Sequence, residues 1–368
     1  MTELTSLQRM TVALDRNIPD TVPIFLRELT LGLDVAGYKT PEVFRGSEGR
    51  YDAEKSAKCV IATYERLRHD GVVGCIQCAG MDVEALGGKM KFPDYGIPSV
   101  IEYPFKTAED VDRATIPDLC REEPFKGIIR SYQIVSNKIG REVAIVANVE
   151  GPVTKAGLLR GLDKLSLDFI KSPELAEKIV RFSAELVKEY LRALFDAGAN
   201  WAAFIAGASD NPTLIGPENY ERFSLPYLSL IVDANRECGF PTVIHPHGIF
   251  TRERFHPLVD KTIETGISGF QFAEKNDFRI AKGKWGNKTC ILGGVDIATS
   301  LWPGPIERIV QETKEYVGIC GQGGGYIFMC SCSLHRGMPI QHVEALVDAC
   351  RTYGRYPLGL SRPTKKDP

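Results

Sequence analysis

The sequence predicts an α/β chain folded as a (β/α)8 TIM barrel with helical and loop decoration before residue 142. Two observations carry this. Eight short apolar, β-branched runs recur along the chain with helical patterns between them, and strands alternating with helices over this length build a parallel barrel. The runs are also apolar nearly throughout, as parallel strands buried on both faces are. An open doubly wound sheet shares the same alternation and is the competing architecture.

In chain order the runs are VPIFLREL (23–30), GVVGCIQCAG (71–80), EVAIVANVEG (142–151), NWAAFIAGAS (200–209), FPTVIHPHG (240–248), GISGFQFAE (266–274), NKTCILGGVD (287–296) and GGYIFMCSCS (324–333). The clearest helix spans 172–198, with Ser172 as a candidate N-cap and Pro173 next to it. Its residues Leu175, Ile179, Phe182, Leu186, Tyr190 and Leu194 recur at helical spacing. Further helices are expected at about 54–69, 217–237, 251–264, 304–317 and 340–353. Residues 1–368 read as one domain, in which 81–141 is too long for a single βα unit and carries an insertion. Within it, KMKFPDYGIPSVIEYPF reads as loop and short extended pieces.

Composition narrows the function classes. The chain is 43% hydrophobic and 25% charged with a net charge of -2, the balance of a soluble globular protein with no electrostatic footprint for nucleic acid. No apolar run is long enough for a bilayer and MTELTSLQRM has no signal-peptide pattern, so a cytoplasmic location is expected. The ten scattered cysteines then read as reduced thiols. Cys75 and Cys78 form a C-x-x-C inside an apolar run, where no helix start lowers a thiol pKa, and read as core. GQGGGY (321–326) precedes a strand, so it reads as a turn rather than a dinucleotide fingerprint. The terminal SRPTKKDP reads as a polar tail.

Barrel sites are built at the C-terminal ends of the strands. There the runs place Gln77 and Cys78, Asn148 and Glu150, Ser209 and Asp210, His245 and His247, Glu274, Asp296, and Cys330 and Cys332. The histidines and the last two cysteines are i, i+2 pairs, so each pair shares one face of a strand. Zinc favours imidazole, thiolate and carboxylate in a tetrahedral shell. His245, His247, Glu274 and one of Cys330 or Cys332 would supply it.

The order of signals resembles the uroporphyrinogen decarboxylase superfamily, and within it the cobalamin-dependent methyltransferases. The matching pieces are VEGPVTKAGLLRG (149–161), SPELAEKIV (172–180), IGPENYERFSLPYLSLIVDA (215–234), VIHPHG (243–248), LGGVD (292–296) and GGYIFMCSCSLHRGMPIQHVEAL (324–346). The resemblance implies zinc ligands at His245 and Cys332, with a further carboxylate at Glu274. The middle ligand maps to His247, where alkanethiol-methylating members have Cys. That departure argues for another methyl donor, with an aryl methyl ether as the leading expectation. The partners implied are a small methylated substrate and a separate protein carrying the corrinoid (cobalamin), with a homodimer left open. Asp210, Glu150 and Asp296 would orient substrate or move protons, and Asn148, Tyr220, Phe272 and Phe328 would line its site, with Phe204 near them. The decarboxylase branch grips its substrate with an arginine-rich N-terminal segment, and this chain offers only Arg27 there. That branch and a methylcobalamin:thiol (coenzyme M-type) transferase are the alternatives.

Overall fold

The computed structural model describes residues 3–359, so the SRPTKKDP tail lies outside the described residues. Strand β1 (Gly71–Val73) is followed by an antiparallel hairpin, β2 (Lys89–Lys91) and β3 (Ser99–Glu102). Then come β4 (Ala144–Glu150), β5 (Ala203–Gly207), β6 (Thr242–Pro246), β7 (Gly269–Gln271), β8 (Cys290–Gly293) and β9 (Tyr326–Phe328). All but the hairpin pair in parallel, in the order β1-β4-β5-β6-β7-β8-β9. The segment 22–29 joins the two edges of this sheet. Ile24 bridges Phe328 of β9 and Phe25 bridges Gly71 of β1, both in parallel. The ring therefore has eight staves, one for each apolar run, and this is the expected TIM-barrel-like fold.

Alternation along each stave decides which side chains meet inside. Phe25, Phe204 and His245 stack toward one another, with Phe25 and Phe204 rings 5.3 Å apart and Phe204 and His245 rings 5.7 Å apart. Their neighbours Ile205 and Ile244 therefore face the helices.

The helix layer follows the apolar stripes. Helices run at Ala53–Leu67, Pro173–Asp196, Leu225–Glu237, His256–Glu264, Ile306–Cys320 and Ile340–Tyr353. The long helix buries Ile179, Leu186, Tyr190 and Leu194 as expected. Pro173 opens it, but Ser172 makes no side-chain cap bond. The inserted segment is more helical than expected, with Phe125–Ile139 packed on the barrel through Phe125, Ile128, Tyr132 and Val135. That i, i+3, i+7, i+10 stripe is legible in FKGIIRSYQIVSNKI. Ser6–Leu14 belongs to the helical decoration expected before residue 142, while the helices at Pro152–Arg160, Leu162–Lys171 and Phe278–Trp285 lie outside the expected spans. Among the described residues no helix is long and apolar enough to cross a membrane. Cys75 and Cys78 are buried, and burial pushes both thiols up, against a redox role.

Candidate metal centre

His245 is the penultimate residue of β6 and His247 follows the strand, its amide donating to the carbonyl of Gly207 of β5. Cys332 comes from the loop after β9. Its Sγ lies 3.7 Å from His245 Nε2 and 3.6 Å from His247 Nε2. All three donor atoms fall within 4.8 Å of one another. Zinc–sulfur and zinc–nitrogen bonds of ordinary length at tetrahedral angles put sulfur and nitrogen about 3.6 Å apart, so the donor set fits zinc. Cys330, the reserve ligand, is wholly buried outside this cluster.

The outer ring nitrogens are occupied. Gln271 Oε1 accepts from His245 Nδ1, and the same amide's Nε2 donates to the carbonyls of Cys330 (3.1 Å) and Ser331 (3.3 Å). Glu274 Oε1 lies 3.2 Å from His247 Nδ1. Each partner fixes its imidazole with Nε2 toward the centre, which is how metal-binding histidines are usually held. Glu274 therefore stands behind His247 rather than among the three donors. Gln271 was missed in the sequence. The signal was a polar residue flanked by Phe270 and Phe272 in GISGFQFAE, at the strand parity that faces inward.

Without a metal, His245 and Cys332 already sit in the states a ligand needs, whereas His247 must still lose a proton. Burial lowers the His245 pKa to about 4, so its ring is neutral at pH 7. Burial opposes charge on His247 as well, but the Cys332 sulfur and Glu274 raise its pKa to about 9. The hydrogen bond from His247 lowers Glu274 to about 2. Burial disfavours a Cys332 thiolate, yet the two histidines and the Arg27 charge hold the thiol well below its usual pKa.

Arg27 is the nearest cation. It lies on stave 22–29 at φ 49°, a left-handed conformation that strains a long side chain. Its Nε donates to Asn148 Oδ1 at 2.8 Å, and its guanidinium carbon sits 5.3 Å from the Phe204 ring centroid. Asn148 thus holds Arg27 from β4. Behind it, His335 joins Thr30 to Ser333, with contacts of 2.9 and 3.0 Å.

The other expected site residues are placed differently. Asp210 accepts from Val153 N (3.1 Å), Thr154 N (3.0 Å), Thr154 Oγ1 (2.8 Å) and Ser224 Oγ (2.9 Å). It satisfies the open amides at the start of helix Pro152–Arg160. Gly151 permits this, since a Cβ there would strike the Asp210 carboxylate. Glu150 pairs with buried Lys155 at 2.9 Å, and Lys155 also pairs with Asp82. Asp296 caps residues 297–301 through Thr299 N at 2.9 Å. Three carboxylates expected to do chemistry are thus bound up in structural contacts. Phe272 is adjacent to Gln271, so it points the opposite way and stacks on Phe270 and Trp285, 4.5 and 5.7 Å between centroids. Tyr220 bonds Thr262 across two outer helices at 3.0 Å. Phe328 is buried over the backbone of Gly294.

The uroporphyrinogen decarboxylase (URO-D) family model matches residues 5–353. The methylcobamide:CoM methyltransferase MtaA of Methanosarcina barkeri is 28% identical over 363 residues, covering 96% of this chain and 99% of that protein. The methylcobamide:CoM methyltransferase MtbA of Methanosarcina acetivorans is 27% identical, with the same coverage. A solved methyltransferase from Methanosarcina mazei superposes with a TM-score of 0.82 at 26% identity, over 95% of this chain and 99% of that one.

Proposed function

The chain belongs to the uroporphyrinogen decarboxylase (URO-D) family, and from that premise we propose that it is a corrinoid-dependent methyltransferase with a small thiol as methyl acceptor. In this reading residues 3–359 form one catalytic domain, and the corrinoid is carried by another protein. The convergence of His245, His247 and Cys332, with both imidazoles oriented from behind, is the observation that carries it. These three side chains would hold zinc, which would supply Lewis acidity and hold a bound thiol as its thiolate at neutral pH.

The chain's own residues do the rest. Gln271 and Glu274 keep the two Nε2 lone pairs aimed at one point. Two neutral imidazoles and one thiolate leave a divalent ion with one net positive charge, which favours an anionic fourth ligand. His247 in place of a cysteine therefore suits an incoming thiolate, against the expectation drawn from sequence. Phe204 and Arg27 form the inner wall beside the centre. The acceptor sulfur makes the new C–S bond with its own lone pair. The electron pair of the broken bond leaves with the donor, and the thiol proton goes to solvent.

The relatives support a thiol over the aryl methyl ether expected from sequence. Phe272 and Tyr220, two of the rings expected to hold an aryl group, are engaged away from the centre by Trp285 and Thr262, which leaves Phe204 beside it. The test is methyl transfer from methylcobalamin to small thiols by zinc-loaded protein. Methoxylated phenols, methanol and methylamines with cob(I)alamin form the reverse panel, and a porphyrinogen substrate tests decarboxylation. Zinc-dependent loss of methylcobalamin with thiols alone is expected. Methylation of cobalamin by an aryl ether, or carbon dioxide release from the porphyrinogen, would overturn the assignment.

A further inference from the structure

We propose that Thr30, His335 and Ser333 form a directed hydrogen-bond chain whose last hydroxyl donates to the Cys332 sulfur, and that this bond steers the methyl group to the acceptor thiol instead of Cys332. The inference rests on the reading above, in which the acceptor thiolate joins Cys332 at one centre. Two thiolates then stand within reach of one methyl group. Transfer forms a C–S bond with a sulfur lone pair, and the electron pair of the broken bond leaves with the donor. At the acceptor this yields the product. At Cys332 it yields S-methylcysteine, which has no thiolate to bind metal, and the centre is spent.

The direction of the chain follows from counting hydrogens. The amide of Arg336 donates to Thr30 Oγ1 at 3.1 Å. Thr30 is fully buried, and among the described residues the other partner of its hydroxyl is His335 Nδ1, 2.9 Å away. A buried hydroxyl hydrogen needs an acceptor, so Thr30 donates to Nδ1. Burial and the Arg27 charge push the His335 pKa down to about 4, so the ring is neutral at pH 7 and its one hydrogen sits on Nε2. That nitrogen donates to Ser333 Oγ at 3.0 Å. Ser333 is buried as well. Among the described residues the acceptor left for its own hydrogen is Cys332 Sγ, at 3.7 Å. The opposite tautomer would turn the Ser333 hydrogen toward His335 and leave the Thr30 hydrogen with no acceptor. The chain is also held in place. Leu334, between Ser333 and His335, donates to the Arg27 carbonyl at 3.2 Å and accepts from the Leu29 amide at 2.9 Å. The loop is thereby tied in parallel to stave 22–29. A sulfur lone pair that accepts a hydrogen bond is less available to an electrophile, and charged acceptors hold such bonds most strongly.

The experiment uses the full-length zinc-loaded protein, with Ser333→Ala, Ser333→Thr and His335→Ala variants. Methyl iodide is added without any acceptor thiol, and S-methylation of Cys332 is followed by peptide mass spectrometry. The exposed Cys120 and Cys238 serve as references for the reagent, and zinc content is measured before it is added. We expect Cys332 of Ser333→Ala to be methylated about tenfold faster than in wild type, the lower end of what a hydrogen bond to a charged group is worth. Ser333→Thr should stay near wild type, and His335→Ala should fall between. With methylcobalamin and 2-mercaptoethanol, Ser333→Ala should stop after fewer turnovers, with S-methylated Cys332 in the spent protein. Equal Cys332 methylation in wild type and Ser333→Ala would overturn the proposal. So would faster methylation matched by zinc missing from Ser333→Ala at the outset, since the hydroxyl would then hold the metal rather than shield the sulfur. If Ser333→Ala does not fold, His335→Ala decides by the same comparison. If wild type methylates no thiol from methylcobalamin, the functional reading fails while the methyl iodide rates still decide Ser333.

Discussion

Replacing Cys332 by Ala should release the metal, whereas replacing Cys330 should not. In a four-ligand zinc site the apparent binding free energy is about 10–16 kcal/mol at pH 7, or roughly 3–4 kcal/mol for each ligand. Cys332 Sγ is one of three donors, 3.7 and 3.6 Å from the histidine nitrogens. Removing it should weaken zinc binding by about two to three orders of magnitude. The thiol of Cys330 is wholly buried, and trimming it leaves a small cavity that costs about 1–2 kcal/mol of stability. Its contribution to the centre is a backbone carbonyl that holds Gln271, which Cys330→Ala keeps. The assay is metal content after dialysis against chelators of graded affinity, with thermal unfolding alongside. Zinc lost from Cys330→Ala but retained by Cys332→Ala would refute the geometric argument, as would full retention by both.

Glu274→Gln should weaken zinc binding by about 10- to 100-fold, the usual cost of losing a carboxylate behind a ligating histidine. Unchanged affinity in chelator competition would show that Glu274 does not orient His247. Asp210→Ala should lower stability by about 2–4 kcal/mol, because four donors lose their acceptor in a buried place. A denaturant midpoint equal to wild type would contradict the capping role. Zinc affinity should rise about tenfold per pH unit between about 4 and about 9 and level off above. The sign follows from the ligand states: His245 is already neutral, Cys332 is already a thiolate, and only the raised His247 must give up a proton. Calorimetry at pH 7 in buffers of different ionisation enthalpy should report release of about one proton. A plateau beginning near pH 6.5 would mean that His247 is not held protonated in the metal-free protein.

Composition and local order were enough for the barrel's staves. A parallel strand buried on both faces must be apolar along its length, and runs such as EVAIVANVEG carry that requirement in every residue. The two-residue period of a strand likewise fixed His245 and His247 on one face, because alternation is local geometry. Local order could not choose between Cys330 and Cys332, since the chain after β9 leaves regular strand geometry. Nor could it assign partners far apart in sequence. Cys332 meets His245 across 87 residues, Arg27 meets Asn148 across 121, and Asp210 caps a helix 56 residues before it. Asp210 looked catalytic because strand-end carboxylates are where barrel chemistry sits. Only the pairing of β4 with β5 brought the bare amides of Val153 and Thr154 to it. Which way Phe272 faces was likewise settled by the strand's neighbours: Gln271 beside it meets His245, so Phe272 stacks on Phe270 and Trp285. What the sequence determined by itself was the repeating pattern of burial and the chemical types at the strand ends. The tertiary structure decided which of those groups face one another, because ring closure sets distances that no stretch of chain encodes alone.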